Sequence, residues 1–382
     1  MELNFLNAAS LINSFAAIIL IVFLLSSDTR NRLSNIMLAL YLVVFIQDTC
    51  AQFTSFYVYP NWPMLGMLIS ETVFLLIPLL YLFAKSSVYK DFRLTWWSLF
   101  HLTPMVAIHL FLIPGYYLPL ANNPDLVWYE ILNNGISAKV IYISVHVQMF
   151  VYYFFIFRML IRYKTVLLEN YASPKLDNQK WLMQFFIVLF IADFFSTIKN
   201  VFRFGDSEIL YFISVIIVNV ANLSVLFWLV IKALKQPQVF VGVRKEVLLV
   251  NQLVQQDDSL NKTSSEVPEI IQKVENHMKV NEPFMDASLS VYDLARQINV
   301  PSRDLSIAIN HNLNKHFFDY VNEYRIKKAM EIFKNTNDEK LTVLEVLYEV
   351  GFNSKSSFNT AFKKFTGTTP SEFKRNASNS AA

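Results

Sequence analysis

Residues 351–375, GFNSKSSFNTAFKKFTGTTPSEFKR, carry the pattern that decides how the charged end of this chain folds. Phe358, Ala361, Phe362 and Phe365 follow the i, i+3, i+4, i+7 spacing of a helix with one apolar stripe, and such a stripe faces a core. The opposite face carries Lys355, Ser356, Asn359, Thr360 and Lys363. These side chains suit a helix lying in the major groove, where lysine donates to guanine O6 and N7 and asparagine pairs with adenine N6 and N7. Ser354 stands where it can cap the helix and leave N–H groups aimed at a phosphate. Lys363, Lys364, Lys374 and Arg375 supply the local positive charge that phosphates attract. In an isolated helix the same pattern is only a solvated face, so the neighbouring sequence has to decide.

That neighbourhood is duplicated. Residues 289–302, LSVYDLARQINVPS, match 341–354, LTVLEVLYEVGFNS, and one extra residue in the second copy sets Leu305 opposite Phe358. Ser290 with Asp293, and Thr342 with Glu345, have capping-box spacing, and Leu289 with Leu294, and Leu341 with Val346, have the spacing of a hydrophobic staple. Asn299 and Gly351 then provide turn residues that tolerate positive φ. Helix, tight turn and helix, twice, predicts two helix-turn-helix units joined by a long helix near 317–335. In the first unit the polar residues able to read bases are Arg303, Ser306 and Asn310.

On these residues, segment 269–376 resembles the DNA-binding domain of AraC/XylS-type bacterial transcription regulators. The closing motif, "GF" then "F…AFKKFTG…TPSEFKR", carries most of the likeness, and "YRIKKA", with Arg325 and Ala329, fits the same pattern. The resemblance implies seven helices, double-stranded promoter DNA as partner, RNA polymerase as a further partner, and recognition helices at 302–312 and 355–365 entering successive major-groove segments. The sequence departs from the family at Pro301, Ile307, Asn314 and Thr360.

The rest of the chain belongs to a different regime. Of 382 residues 54% are hydrophobic, yet residues 1–235 hold 15 Lys/Arg and 12 Asp/Glu while the remaining 147 hold 18 of each. Apolar runs close to the ~20 residues that cross a bilayer fall at 5–27, 34–57, 63–84, 96–115, 139–161, 181–203 and 208–232. The expected fold class is therefore all-α, a seven-helix transmembrane bundle followed by a soluble domain of two helix-turn-helix units. The first run lacks a basic start and a cleavage site, so it reads as a retained helix. Loop charge alternates, with Arg30 and Arg32, then Lys85, Lys90 and Arg93, then Arg158, Arg162 and Lys164 on one side, which places the amino terminus outside and the carboxyl terminus in the cytoplasm of a bacterial inner membrane. Trp62, Trp96, Trp97, Trp128 and Trp181 sit near run ends, where indoles settle. Seven-span chains with such an end are similar to membrane-bound regulators of some bacteria.

The expected domains are thus a sensory bundle over 1–235, a linker over 236–268, the DNA-binding domain over 269–376 and a disordered tail over 377–382. In the linker, Val247, Val250, Leu253 and Val254 repeat at helical spacing, which fits either a short homodimer seam or a plain connection. Ionisable residues inside spans are costly and mark functional positions or interhelical hydrogen bonds. Counted from the outer ends, Asp48, Glu71, His109, His146 and Asp193 share the outer half with Asn219 and Asn222, as expected of a site for a small-molecule or proton signal. The two histidines lack metal-ligand spacing. One cysteine and seven unclustered glycines exclude a disulfide framework and Gly-rich nucleotide cradles, and no catalytic or cofactor motif points to an enzyme. The function expected is a membrane-embedded one-component transcription regulator. The alternative is a transporter-like protein with a regulatory DNA-binding tail, against which stands the lack of an inverted repeat.

Overall fold

The computed structural model describes residues 5–26, 32–89, 92–123, 136–174, 176–235, 260–335 and 341–381, and among these the chain is all-α with no β-strand. It divides into two compact units, one formed by Met1–Ile161 with Asp177–Lys245, the other by Arg162–Leu176 with Glu246–Ala382.

Among the described residues six helices are long and apolar enough to cross a bilayer: Ala8–Ser26, Pro63–Val88, Trp96–Asn122, Ala138–Asn170, Asn178–Arg203 and Glu208–Lys232. The run expected at 34–57 is divided. Helix Arg32–Thr49 opens on Arg32 and closes on Gln47 and Asp48, and it continues only through a short helix, Ala51–Phe53, and a π-turn, Thr54–Val58. Polar ends cut its apolar stretch short, although Met37, Leu38, Ala39 and Leu42 are buried. Polar side chains join neighbouring helices. Ser34 and Ser87 share a hydrogen bond of 2.6 Å, and the Asn35 amide donates to the Leu24 carbonyl at 3.0 Å. Helix Pro63–Val88 tightens to a 3₁₀ turn at Glu71–Leu75, and the Gln148 amide donates to the Phe74 carbonyl there. Trp181 departs from the expectation of an interfacial indole. It is buried and forms a stacked ring cluster with Phe185 and Trp228. Trp62, Trp96 and Trp97 are exposed, and Trp128 lies outside the described residues.

The second unit is built on the duplicated pattern. Both capping boxes form, with the Ser290 and Thr342 hydroxyls accepting from the N–H groups of Asp293 and Glu345. Asn299 has φ 52° and Gly351 φ 89°, so both turns use the left-handed region. Asn314, one of the departures from the resembled family, has φ 50°. Helix Phe317–Asn335 joins the two helix-turn-helix units and serves two cores. Its first half gives Phe317, Tyr320 and Val321 to a cluster with Leu289, Leu294 and Leu305, and its second half gives Ile326, Ala329 and Phe333 to a cluster with Val346, Phe358 and Phe362.

This unit takes in more chain than 269–376. Helix Leu260–Val280 begins inside the expected linker, and Val267 and Ile270 anchor it in the first core, so apolar burial extends the folded part upstream. Helix Pro370–Ala381 likewise absorbs residues expected as a disordered tail. Thr369 and Glu372 start it with a third capping box around Pro370, a T-x-x-E signal readable in the sequence. The valine and leucine repeat at 247–254 lies outside the described residues.

The largest departure is the segment Arg162–Leu176, which takes in the end of helix Ile136–Asn170 and the turn after it but belongs to the second unit. The Ala172 N–H donates to the Leu289 carbonyl at 3.0 Å, Tyr171 and Ser290 form an antiparallel bridge, and Ala172 is buried in the first core.

Candidate nucleic-acid interface and helix-bundle cavity

The second recognition helix spans Lys355–Thr366, starts at the Ser354 cap and stops at Gly367, where φ is 78°. Phe358, Ala361 and Phe362 are buried, which leaves Lys355, Ser356, Asn359, Thr360 and Lys363 together on an exposed face. Phe365 departs from the expected stripe and is 37% exposed, because it lies in the last turn beyond the packed cluster. Lys364, expected to supply local positive charge, is ion-paired. Its ammonium pairs with Asp319 on the connecting helix at 2.6 Å, which offsets its charge locally. Lys355 and Lys363 make no ion pair among the described residues.

The first recognition helix differs in construction. Residues Ser302–Ile307 are α-helical after an N-cap at Pro301 that offers no side-chain acceptor, and Ala308–Asn312 form a π-turn. Of the three expected readers, Ser306 is buried, and Asn310 donates its amide to the Ser306 carbonyl and hydroxyl while accepting from the Phe317 N–H. Both residues hold the helix to the start of the connecting helix, because the π-turn carries their side chains inward. Arg303 is half-buried.

Between the two cores lies a group that spacing alone does not mark. Arg325 is fully buried, donating Nε to the Phe284 carbonyl at 2.6 Å, Nη2 to the Asp286 carbonyl at 2.9 Å and Nη1 to the Ser173 hydroxyl at 2.8 Å. Its guanidinium lies 5.4 Å from the Phe352 ring. Burial pushes its pKa down to about 10, so it remains charged at neutral pH.

In the first unit, five of the residues expected as signal-sensing, Asp48, Glu71, His146, Asp193 and Asn219, line one cavity of about 520 Å³. His109 does not line it. Its helix contributes no lining residue, and the ring meets the Tyr117 hydroxyl at 2.8 Å. Lys199 and Arg203, near the end of the same apolar run as Asp193, also line the cavity. Their i, i+4 spacing to one another was the available signal. His146 is engaged at both ring nitrogens, by Thr197 at 3.1 Å and Asn200 at 2.9 Å, and Asp193 accepts from the Tyr153 hydroxyl at 2.6 Å.

With two helix-turn-helix units on one shared helix, the fold defines a DNA-binding transcription regulator, and comparison with known proteins agrees. A family described as "Helix-turn-helix domain" matches residues 294–376. A regulator described as an "Uncharacterized HTH-type transcriptional regulator in cgkA 5'region" of Pseudoalteromonas carrageenovora is 32% identical over 127 residues, which are 33% of this chain and 74% of the relative. The Msm operon regulatory protein of Streptococcus mutans is 29% identical over 93 residues, 24% of this chain and 32% of that protein, so the chain spans about a third of its length. The C-terminal domain of AraT, a response regulator of Geobacillus stearothermophilus, is 28% identical with a TM-score of 0.25, covering 28% of this chain and 85% of that domain. The chain belongs to the AraC type of helix-turn-helix transcriptional regulators.

The free face of the second recognition helix sets an expected result. Lys355→Ala should cost about 1–3 kcal/mol at the specific site and relax preference at one or two base pairs. Lys363→Ala should weaken all sequences alike and lower the salt slope by about one unit. Binding titrations on specific and scrambled duplexes at two salt concentrations check both. Equal losses on the two duplexes for Lys355→Ala would remove it from base reading.

Proposed function

We propose that the protein is a one-component regulator held in a bacterial inner membrane, with its amino terminus outside and its reader in the cytoplasm. The cavity receives a signal and the reader binds promoter DNA. Helix Arg32–Thr49, with its short continuation, serves as the second of seven crossings despite its polar ends, since an odd number brings the reader to the compartment that holds DNA.

One observation carries the link between signal and reader. Helix Ile136–Asn170 brings His146 to the cavity, and helix Leu176–Arg203 brings Asp193, Lys199 and Asn200. The turn joining these two helices contains Tyr171–Ser173, which is bonded into the reader beside Leu289 and Arg325. A shift of either helix therefore pulls on the reader through continuous backbone. A signal shifts such an equilibrium only by its difference in affinity for two states, and about 1.4 kcal/mol changes the ratio tenfold.

Reporter fusions test the arrangement. A reporter active only in the cytoplasm should work after Ala382 and fail before Met1 or within 122–134. Activity at both chain ends would leave an even number of crossings and end this reading.

A further inference from the structure

The charges in the cavity point to a class of molecule, an inference that rests on reading the cavity as the signal site. Three carboxylates, Asp48, Glu71 and Asp193, and two cations, Lys199 and Arg203, line it. No ion pair joins any of the five among the described residues. Glu71 is 4% exposed and its Oε2 has no hydrogen-bond partner. Asn200 Oδ1 is likewise buried and without one. The Arg203 guanidinium lies 4.9 Å from the Tyr142 ring, a contact that leaves its donors available. Of the five only Glu71 is buried, and a buried carboxylate oxygen without a partner is costly and is retained where a group of opposite sign arrives.

Opposite charges held apart in one cavity fit a ligand that itself carries both signs. The formal sum of the lining charges is three negative and two positive, one net negative, so the complementary ligand has one carboxylate and two cationic nitrogens. The layout orients it. Lys199 and Arg203 are one turn apart on helix Leu176–Arg203, and Asp193 lies about 9 Å further along the axis from Lys199 at 1.5 Å per residue. Glu71 projects from the 3₁₀ turn of another helix. The size is also right, since cavities of roughly 300–1,000 Å³ are those that enclose small molecules. We infer that the cavity binds a cationic amino acid, its carboxylate toward Lys199 and Arg203 and its nitrogens toward Glu71 and Asp193.

The test uses the full chain purified in lipid nanodiscs and titrated calorimetrically with L-lysine, L-arginine, L-glutamate, L-leucine and putrescine. L-lysine or L-arginine should bind with one-to-one stoichiometry and raise the thermal midpoint, with the other three at least tenfold weaker. Glu71→Gln should weaken the cationic amino acid at least tenfold, and Lys199→Met should do so while leaving putrescine unchanged. Should both variants misfold, the selectivity of the unaltered chain decides alone. Putrescine binding as tightly as lysine, tighter binding of glutamate or leucine, or no binding from the panel would each overturn the inference. If nothing in the panel binds while Asp193→Asn still abolishes a transcriptional response to some external solute, the signal-site reading survives and the ligand class falls. Binding of lysine with no change in transcription would do the reverse.

Discussion

Gly351→Ala should disable the second helix-turn-helix unit, whereas Gly367→Ala, at a glycine of similar φ, should be mild. Gly351 turns the chain with φ 89°, and a Cβ there would lie 2.6 Å from both the Phe284 and the Met285 carbonyl oxygens. These are backbone atoms of the short turn Pro283–Met285, and they cannot swing aside as a flexible side chain would. The left-handed backbone costs a non-glycine residue about 1–2 kcal/mol. Overpacking against fixed atoms adds typically about 1–3 kcal/mol. At Gly367 φ is 78° but nothing lies within 4 Å of the added carbon, so only the first cost applies there. Amide hydrogen exchange across 341–366 in the two variants measures the difference. Equal protection in both would show that the Phe284–Met285 turn yields, and that the close approach at Gly351 contributes nothing.

That turn also explains how much of the reader was legible. Capping boxes, left-handed turn residues and apolar stripes are local rules, so the two helix-turn-helix units and helix Phe317–Asn335 could be read from spacing alone. Buried polar geometry could not. Ser306 and Asn310 are polar, and polarity suggested an outward face, but a π-turn and three hydrogen bonds turned them inward. Lys364 was legible as a cation and not as the partner of Asp319, which lies 45 residues earlier. In the bundle, depth counting brought Asp48, Glu71, His146, Asp193 and Asn219 to one cavity because rise per residue is fixed. It failed for His109, since depth does not say which way a side chain points. Lys199 and Arg203 were missed because loop-charge counting assigns cations near a run's end to the loop. The Tyr171–Ser173 bridge was invisible because it joins residues more than 100 positions apart through backbone atoms, which every residue type carries.

Arg325→Ala should have the largest effect in the protein, and its comparison with Ser173→Ala separates folding from coupling. The guanidinium ties the Phe284 and Asp286 carbonyls, the Asn322 side chain and Ser173 into one junction between the two cores. Removing it leaves several buried acceptors without donors, at about 1–3 kcal/mol each. For a domain whose stability is about 5–15 kcal/mol, that loss empties much of the folded population. Arg325→Lys should not restore it. A point ammonium cannot reach carbonyls at Phe284 and Asp286 and the Ser173 hydroxyl from one planar fork. Ser173→Ala removes a single donor–acceptor pair on the arginine, worth about 1.5–3 kcal/mol for a bond to a charged group, and the remaining carbonyls keep Arg325 in place. Under the proposed coupling, Arg325→Ala abolishes DNA binding by the full chain, while Ser173→Ala leaves DNA affinity within a factor of about two and loosens the turn that joins the two cavity-lining helices to the reader. The second variant should then hold transcription at one level whatever the external solute. DNA titrations of the full chain, run beside a reporter assay, distinguish the cases. A Ser173→Ala variant that both binds DNA and responds as the parent does would show that the joining turn anchors the reader without informing it, and would send the search for the signal path to the last apolar helix, which lines the cavity through Asn219 and Asn222 and is the helix from which the chain runs on toward the reader.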